Sequence, residues 1–188
     1  MKTDIILAGV GGQGILSIAA VIGTAAIESD LFLKQAEVHG MSQRGGAVQS
    51  HLRISDQPIS SDLIHKGSCD MILSVEPMES LRYLPFLSET GWLITNSKPF
   101  INIENYPDET KLFAEINLVK NHKLVDAAEI ARKLGTQKVS NIVMLGAASE
   151  FLGLPTGSLE KALQTIFGRK GEEIVNLNLS ALAAGQNA

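Results

Sequence analysis

Four glycines fall within six positions in Gly9-Val10-Gly11-Gly12-Gln13-Gly14. The spacing matches G-x-G-x-x-G, and the stretch follows the apolar run Ile5-Ile6-Leu7 and precedes a longer apolar run from Ile15. A strand that ends in such a turn and restarts as a helix leaves unpaired N–H groups and the positive end of a helix dipole at one place, which is the chemistry that holds a phosphate. In that arrangement Gly9 suits a tight turn, Gly11 a close approach of phosphate to backbone, and Gly14 the packing of helix on sheet. Ile15-Leu16 stand where a P-loop needs Lys and Ser/Thr, so nucleotide hydrolysis of that type is not expected.

A second polar, glycine-punctuated cluster reads "EVHGMSQRGG" over residues 37–46. Glu37 stands near the distance beyond the first turn, about 20 residues, at which a dinucleotide fold carries its ribose-binding acid. A ribose acid, however, needs no following cluster of His39, Ser42, Gln43 and Arg44 between glycines. Arg44 is suited to grip a carboxylate or phosphate with two parallel hydrogen bonds, and Gly45-Gly46 to bring amides to the same anion. Three readings of the glycine turn stand open: a nucleotide or other phosphate site, a packing device at a crowded strand–helix junction, or a surface where another backbone docks. For Arg44 the plain alternative is an ordinary surface loop.

The elements that must position these residues follow from periodicity. Short apolar runs predict strands over 3–8, 31–38, 71–75, 91–95 and 123–125, and alternation predicts a strand over 46–55. On that last strand Val48, Ser50, Leu52 and Ile54 share one face and Gln49, His51 and Arg53 the other, which predicts His51 at a surface or an interface. Helical spacing predicts helices over 12–28, 77–87, 127–134, 140–152, 158–167 and 172–184, the last with Ile174, Leu177, Ala181 and Leu182 as its stripe. Asp126 is read as a cap, Gly135 as a helix stop, Asn141 as capping or structural with a polar contact to a ligand or partner as the alternative, and residues 96–110 as loop. Together these give an α/β chain: one domain over residues 1–188, a three-layer Rossmann-like α/β/α architecture with a mostly parallel, possibly mixed sheet and a helical C-terminal third. The first helix is apolar all round, so it is expected to be buried on more than one side, either by this domain or by another chain.

Composition excludes several classes. A formal net charge of −4 and 5% aromatics argue against nucleic-acid binding through a basic surface or stacked bases. One cysteine, Cys69, rules out an internal disulfide and a self-contained iron–sulfur cluster, fits a reducing cytoplasm, and is read as packing. No secretory signal is read, and the apolar run 15–27 is too short to span a bilayer. His39, His51, His65 and His122 show no metal-ligand spacing, so no metal site is expected.

The wording "GVGGQG", then "EVHGMSQRGG" leading into "VQSHLRIS", resembles the gamma domain of the 2-oxoacid:ferredoxin (acceptor) oxidoreductases. The resemblance continues in "LVDAAEIARKLG" and "KVSNIVMLGAASEFLGLP" and covers almost the whole chain, with "SQRGG" its most specific element. Within the family, the wording and length are most similar to the small beta subunit of its indolepyruvate branch. Such complexes cleave a 2-oxoacid on thiamine diphosphate, pass electrons through iron–sulfur clusters to ferredoxin, and deliver the acyl group to coenzyme A.

This chain lacks the "GDG" and distal Asn that hold Mg²⁺ and the diphosphate, and it lacks cluster cysteines. The resemblance therefore implies that thiamine diphosphate, Mg²⁺, the iron–sulfur clusters and the contact with ferredoxin belong to a larger partner subunit. It implies for this chain a role in coenzyme A binding and active-site closure, with no activity alone. The candidate rim is Gly11, Gly12, Gln13, Gly14, Ser42, Gln43, Arg44, Gly45 and Gly46, and His39 is the one candidate near acyl transfer. The competing readings are a stand-alone NAD(P)-binding reductase or sensor with Glu37 on the ribose, and an assembly module whose glycine turns accept another backbone.

Overall fold

The apolar run that leads into the glycine turn forms the central strand of the molecule. In the computed structural model, which describes residues 1–39 and 45–188 (His39 by its backbone alone), β1 (Lys2–Val10) is buried from Thr3 onward. β4 (Cys69–Ser74) pairs beside it in parallel, followed by β5 (Leu87–Asn96) and β6 (His122–Val125), also parallel. On its other side β3 (Ala47–Ser55) runs antiparallel, and β2 (Phe32–His39) closes the edge antiparallel to β3. The order β2-β3-β1-β4-β5-β6 is the mixed, mostly parallel sheet expected. β3 alone runs against the rest because no helix intervenes between β2 and β3, and a parallel return would need a crossover.

That one hairpin removes the dinucleotide arrangement. Glu37 pairs with Ser50, and Ser50 in turn with Leu7. Glu37 thus lies two strands from β1, about 10 Å across the sheet, on an edge strand. Sequence spacing put the acid at the right distance along the chain, but β3 occupies the position beside β1 that the ribose acid requires.

Helices cover both faces. One face carries α1 (Ile15–Ile27), α4 (Ala127–Lys133), α5 (Ser140–Ala148), α6 (Ser158–Phe167) and α7 (Glu172–Gln186) over Ile5, Leu7, Met71, Leu73 and Ile94. The other carries α2 (Pro77–Arg82) and α3 (Glu109–Asn117) over Ile6, Ala8, Ile72 and Leu93. The apolar character of α1 is largely explained within the chain, since Ile18, Val21, Ile22 and Ala25 are buried and α1 packs on α6, α5 and the sheet. Leu16 and Ile27 are the large apolar side chains it leaves exposed. α5 is buried from Asn141 to Ala148 and lies against α7 so closely that a Cβ on Gly146 would strike Leu182 O, and one on Gly185 would strike Val143 O.

Several local expectations shift. α3 begins at the end of the expected 96–110 loop and runs on through residues for which no element is predicted; Asp108 caps Lys111 N at 3.1 Å, while only Leu112 and Ile116 are buried, too sparse a pattern to stand out. The buried face of α7 is Val175, Asn178, Ala181, Leu182 and Gly185, which leaves Ile174 of the expected stripe exposed. Asp126 caps α4 through Glu129 N at 3.0 Å, and Gly135 follows it at φ +93°. His51 is corrected from surface to interior: it is buried, and its Nδ1 accepts from Ile64 N at 3.0 Å. Phe86 meets its ring edge-on at 5.5 Å. Alternation read one face of β3 as solvent-facing, but the 56–68 segment and Phe86 cover that face.

α1 leaves β1 toward one face of the sheet, whereas α2 leaves β4 toward the other. The chain thus reverses direction between the C-terminal ends of β1 and β4. Open α/β sheets bind ligands at such a reversal.

Candidate functional site

The glycine turn follows β1 at this reversal, with its cavity on the β3 side, and its backbone is stapled from within. Gln13 N donates to Val10 O at 3.1 Å, and Val10 N donates to Gln13 Oε1 at 2.8 Å. Gly12 and Gly14 take φ of +100° and +83°, a conformation that disfavours any side chain. The glycine roles differ from the dinucleotide template. Gly9 is the close-packing position, because a Cβ there would collide with Val75 and lie 2.9 Å from Ile15 Cδ1. Gly14 is the N-cap of α1, and its carbonyl accepts from Asn141 Nδ2 at 3.2 Å. Asn141 sits in the first turn of α5, so a second helix clamps the turn from behind.

The two glycine-rich stretches meet directly. Gly11 N donates to Gly46 O at 2.8 Å, and Gly45 N donates to Gly11 O at 3.3 Å. The Gly11 amide is thus committed to the neighbouring turn. The amides of Gly12, Gly14, Ile15 and Leu16 have no acceptor among the described residues. These residues, with Val10, Gly11 and Val48, line a cavity of about 320 Å³. A convergent set of unpaired amides at the start of a thirteen-residue helix is suited to an anion, and the apolar walls of Val10, Ile15 and Val48 to an attached organic body.

Ser42, Gln43 and Arg44 lie outside the described residues, as does the His39 side chain. Gly45 and Gly46 bond to Gly11 and stand beside the cavity without lining it, with Gly45 at φ +80°. Gln13 reaches the turn itself and also borders a smaller pocket with Val75, Asn96 and Ser140.

Beyond the C-terminal end of β4 stand groups that the sequence did not single out. Glu76 follows β4 and is fully buried; its Oε2 accepts from Glu79 N at 2.9 Å and so caps α2. Residues 97–108 form a strap over this edge, and Asn102 Nδ2 donates to Gly45 O at 2.6 Å. The available signal was Glu76-Pro77 directly after an apolar strand, an acid placed to cap a helix that proline opens.

The remaining candidates are closed. Burial first and Arg53 second lower the His51 pKa below its ordinary value, in keeping with a neutral ring that accepts from a backbone amide. Cys69 is fully buried and donates to Met71 O at 3.0 Å; burial pushes its thiol up to about 12. A thiol held protonated in a strand is a poor metal ligand. Among the described residues no group of three or more His, Cys, Asp or Glu could hold a metal ion, so the donor set does not fit an iron–sulfur cluster. No described helix is long and apolar enough to cross a membrane.

Known proteins with this sequence pattern and fold point one way. The indolepyruvate oxidoreductase subunit IorB of Archaeoglobus fulgidus is 36% identical over all of this chain and 95% of its own length. The gamma subunit of a keto/oxoacid ferredoxin oxidoreductase from Geobacter sulfurreducens superposes with a TM-score of 0.72 at 26% identity, covering 98% of this chain and 96% of that one. A 2-oxoglutarate:ferredoxin oxidoreductase from Magnetococcus marinus, with 2-oxoglutarate, coenzyme A and succinyl-CoA bound, superposes with a TM-score of 0.80 at 22% identity. This chain matches 30% of that longer one over 99% of its own length, so there the same fold is one part of a larger polypeptide. The family model for pyruvate ferredoxin/flavodoxin oxidoreductase matches residues 4–188. The chain belongs to that family and is of the kind that serves as the small, gamma-type subunit of 2-oxoacid:ferredoxin oxidoreductases.

Proposed function

We propose that this chain supplies the coenzyme A cradle of a thiamine-diphosphate-dependent oxidoreductase acting on indolepyruvate or a similar aryl pyruvate, and that it closes that enzyme's active site. The observation that carries the reading is the set of acceptor-free amides at Gly12, Gly14, Ile15 and Leu16 around one cavity. Coenzyme A brings several phosphate charges on an organic body, and both parts have a counterpart here. The amides hold one phosphate by charge-assisted hydrogen bonds, and Arg44 with the Gly45-Gly46 turn holds a second. The Val10, Ile15 and Val48 walls pack against the ligand's organic body. A larger partner subunit holds thiamine diphosphate with its Mg²⁺ and the iron–sulfur clusters. They supply carbanion stabilisation and electron transfer to ferredoxin, which the one buried thiol and the donor groups among the described residues do not fit. The single buried cysteine accords with a reducing, cytoplasmic setting. Substrate preference follows the 36% identity to an indolepyruvate subunit.

A stand-alone dinucleotide enzyme finds no support, since its ribose acid would be Glu37, two strands away. Titration of the chain, free and assembled with its partner, with coenzyme A and NADH tests the reading. Coenzyme A saturates the assembled enzyme and NADH does not bind; NADH binding with no response to coenzyme A would overturn it. Arg44→Ala raises the KM for coenzyme A about tenfold or more, the scale of a lost hydrogen bond to a charged group.

A further inference from the structure

The fully buried Glu76 carboxylate is shared between two elements. Oε2 caps α2, while Oε1 accepts from Tyr106 Oη at 2.5 Å and from Phe100 N at 3.3 Å, so both ends of the middle of the 97–108 strap hang on one oxygen. Burial, then the bond to Glu76, raises the Tyr106 phenol above its ordinary range, so it remains a donor. Beside Glu76, Val75 N donates to Ala8 O at 3.0 Å, which ties this corner to β1. Between Phe100 and Tyr106 the strap sends Asn102 to Gly45 O at 2.6 Å, and Gly45 and Gly46 bond in turn to Gly11. Hydrogen bonds joined by a short stretch of strap backbone thus link a buried carboxylate to both glycine turns. A buried charge keeps its place only while its donors do, which makes it a firm anchor for a surface segment.

We propose that Glu76 is a positioning residue for the cradle: by pinning the 97–108 strap it fixes, through Asn102, where the Gly45-Gly46 turn stands relative to the amides of Gly12 to Leu16. The inference rests on the coenzyme A reading above. Asn102 is exposed, so its loss leaves the core intact, and Tyr106→Phe removes one hydroxyl without changing the ring.

In the complex of this chain with its catalytic subunit, Asn102→Ala and Tyr106→Phe raise the KM for coenzyme A about 3- to 10-fold, the scale of one lost neutral hydrogen bond. The kcat stays within about twofold, and the KM for the oxoacid does not move. Glu76→Gln acts in the same direction and more strongly, because an amide cannot accept from all three donors. Hydrogen exchange at Gly11 and Gly45 quickens in Asn102→Ala while that of β4 and β5 is unchanged. A wild-type complex that saturates with coenzyme A, beside Asn102→Ala and Tyr106→Phe complexes of equal KM, would overturn the positioning role and leave the coenzyme A reading standing. A wild-type complex indifferent to coenzyme A would remove that reading itself, and the positioning role with it.

Discussion

The seam between α5 and α7 and the mouth at the end of β1 are both built on glycine, for opposite reasons. In the seam, Gly146 and Gly185 are small because the facing helix backbone fills the space a Cβ would take. At the mouth, a Cβ on Gly12 or Gly45 would meet nothing within 4 Å, and the need for glycine comes from φ of +100° and +80°. The seam closes on itself; the mouth holds a backbone shape open with its amides unpaired. Space that the chain itself does not fill, lined by donors it does not use, is the physical mark of a site for something else.

The seam is the more fragile of the two regions. Gly185→Ala forces a Cβ against Val143 O, where no flexible side chain can yield. It destabilises by about 3 kcal/mol, lowering Tm by roughly 6–12 °C for a chain of this size, as calorimetry will show. Gly12→Ala meets no neighbour and carries only the strain of a left-handed backbone, about 1–2 kcal/mol. Its larger consequence is functional, a fall in coenzyme A affinity of about tenfold as the amide turns away, measured by isothermal titration. Were Gly12→Ala to lower Tm as much as Gly185→Ala while leaving affinity unchanged, the mouth would be another packed seam.

Asn141→Ala joins the two regions, because its side chain belongs to α5 and holds Gly14 O. It reduces both stability and affinity by about 1 kcal/mol, the typical contribution of one hydrogen bond. The smallest effect is a pH dependence unrelated to the mouth. His51 has a pKa below its ordinary 6.5 in the fold, so the unfolded chain takes up a proton that the folded chain refuses. Stability therefore falls as pH drops from about 7 through 6.5 toward the lower folded value, then levels. His51→Asn removes this part of the slope in denaturation midpoints measured between pH 7.5 and 5, and coenzyme A affinity follows no such trend through His51.

The two regions also differ in how far sequence reveals them. The turn announces itself because glycine spacing, a preceding strand and a following helix are all local. Asp126 and Gly135 were legible for the same reason, each acting within one helical turn of its position. What pairs across long separations was not. Glu37 had the right spacing and the wrong neighbour, because strand order is set by the β2–β3 hairpin. His51 alternated like a surface residue, because the segment that buries it lies beyond the strand that carries it. Glu76, Asn102 and Asn141 act on the mouth through contacts 24 to 127 residues apart, which no periodicity records. α3 escaped notice because two buried side chains in nine residues make a weak helical pattern.

The most direct test places the ligand on the amides themselves. The chain, labelled with ¹⁵N at glycine and assembled with its catalytic subunit, is titrated with coenzyme A while glycine amide resonances are followed. Gly12 and Gly14 shift in step with saturation while Gly146 and Gly185 stay fixed. Saturation of turnover by coenzyme A with Gly12 and Gly14 unmoved would place the ligand elsewhere.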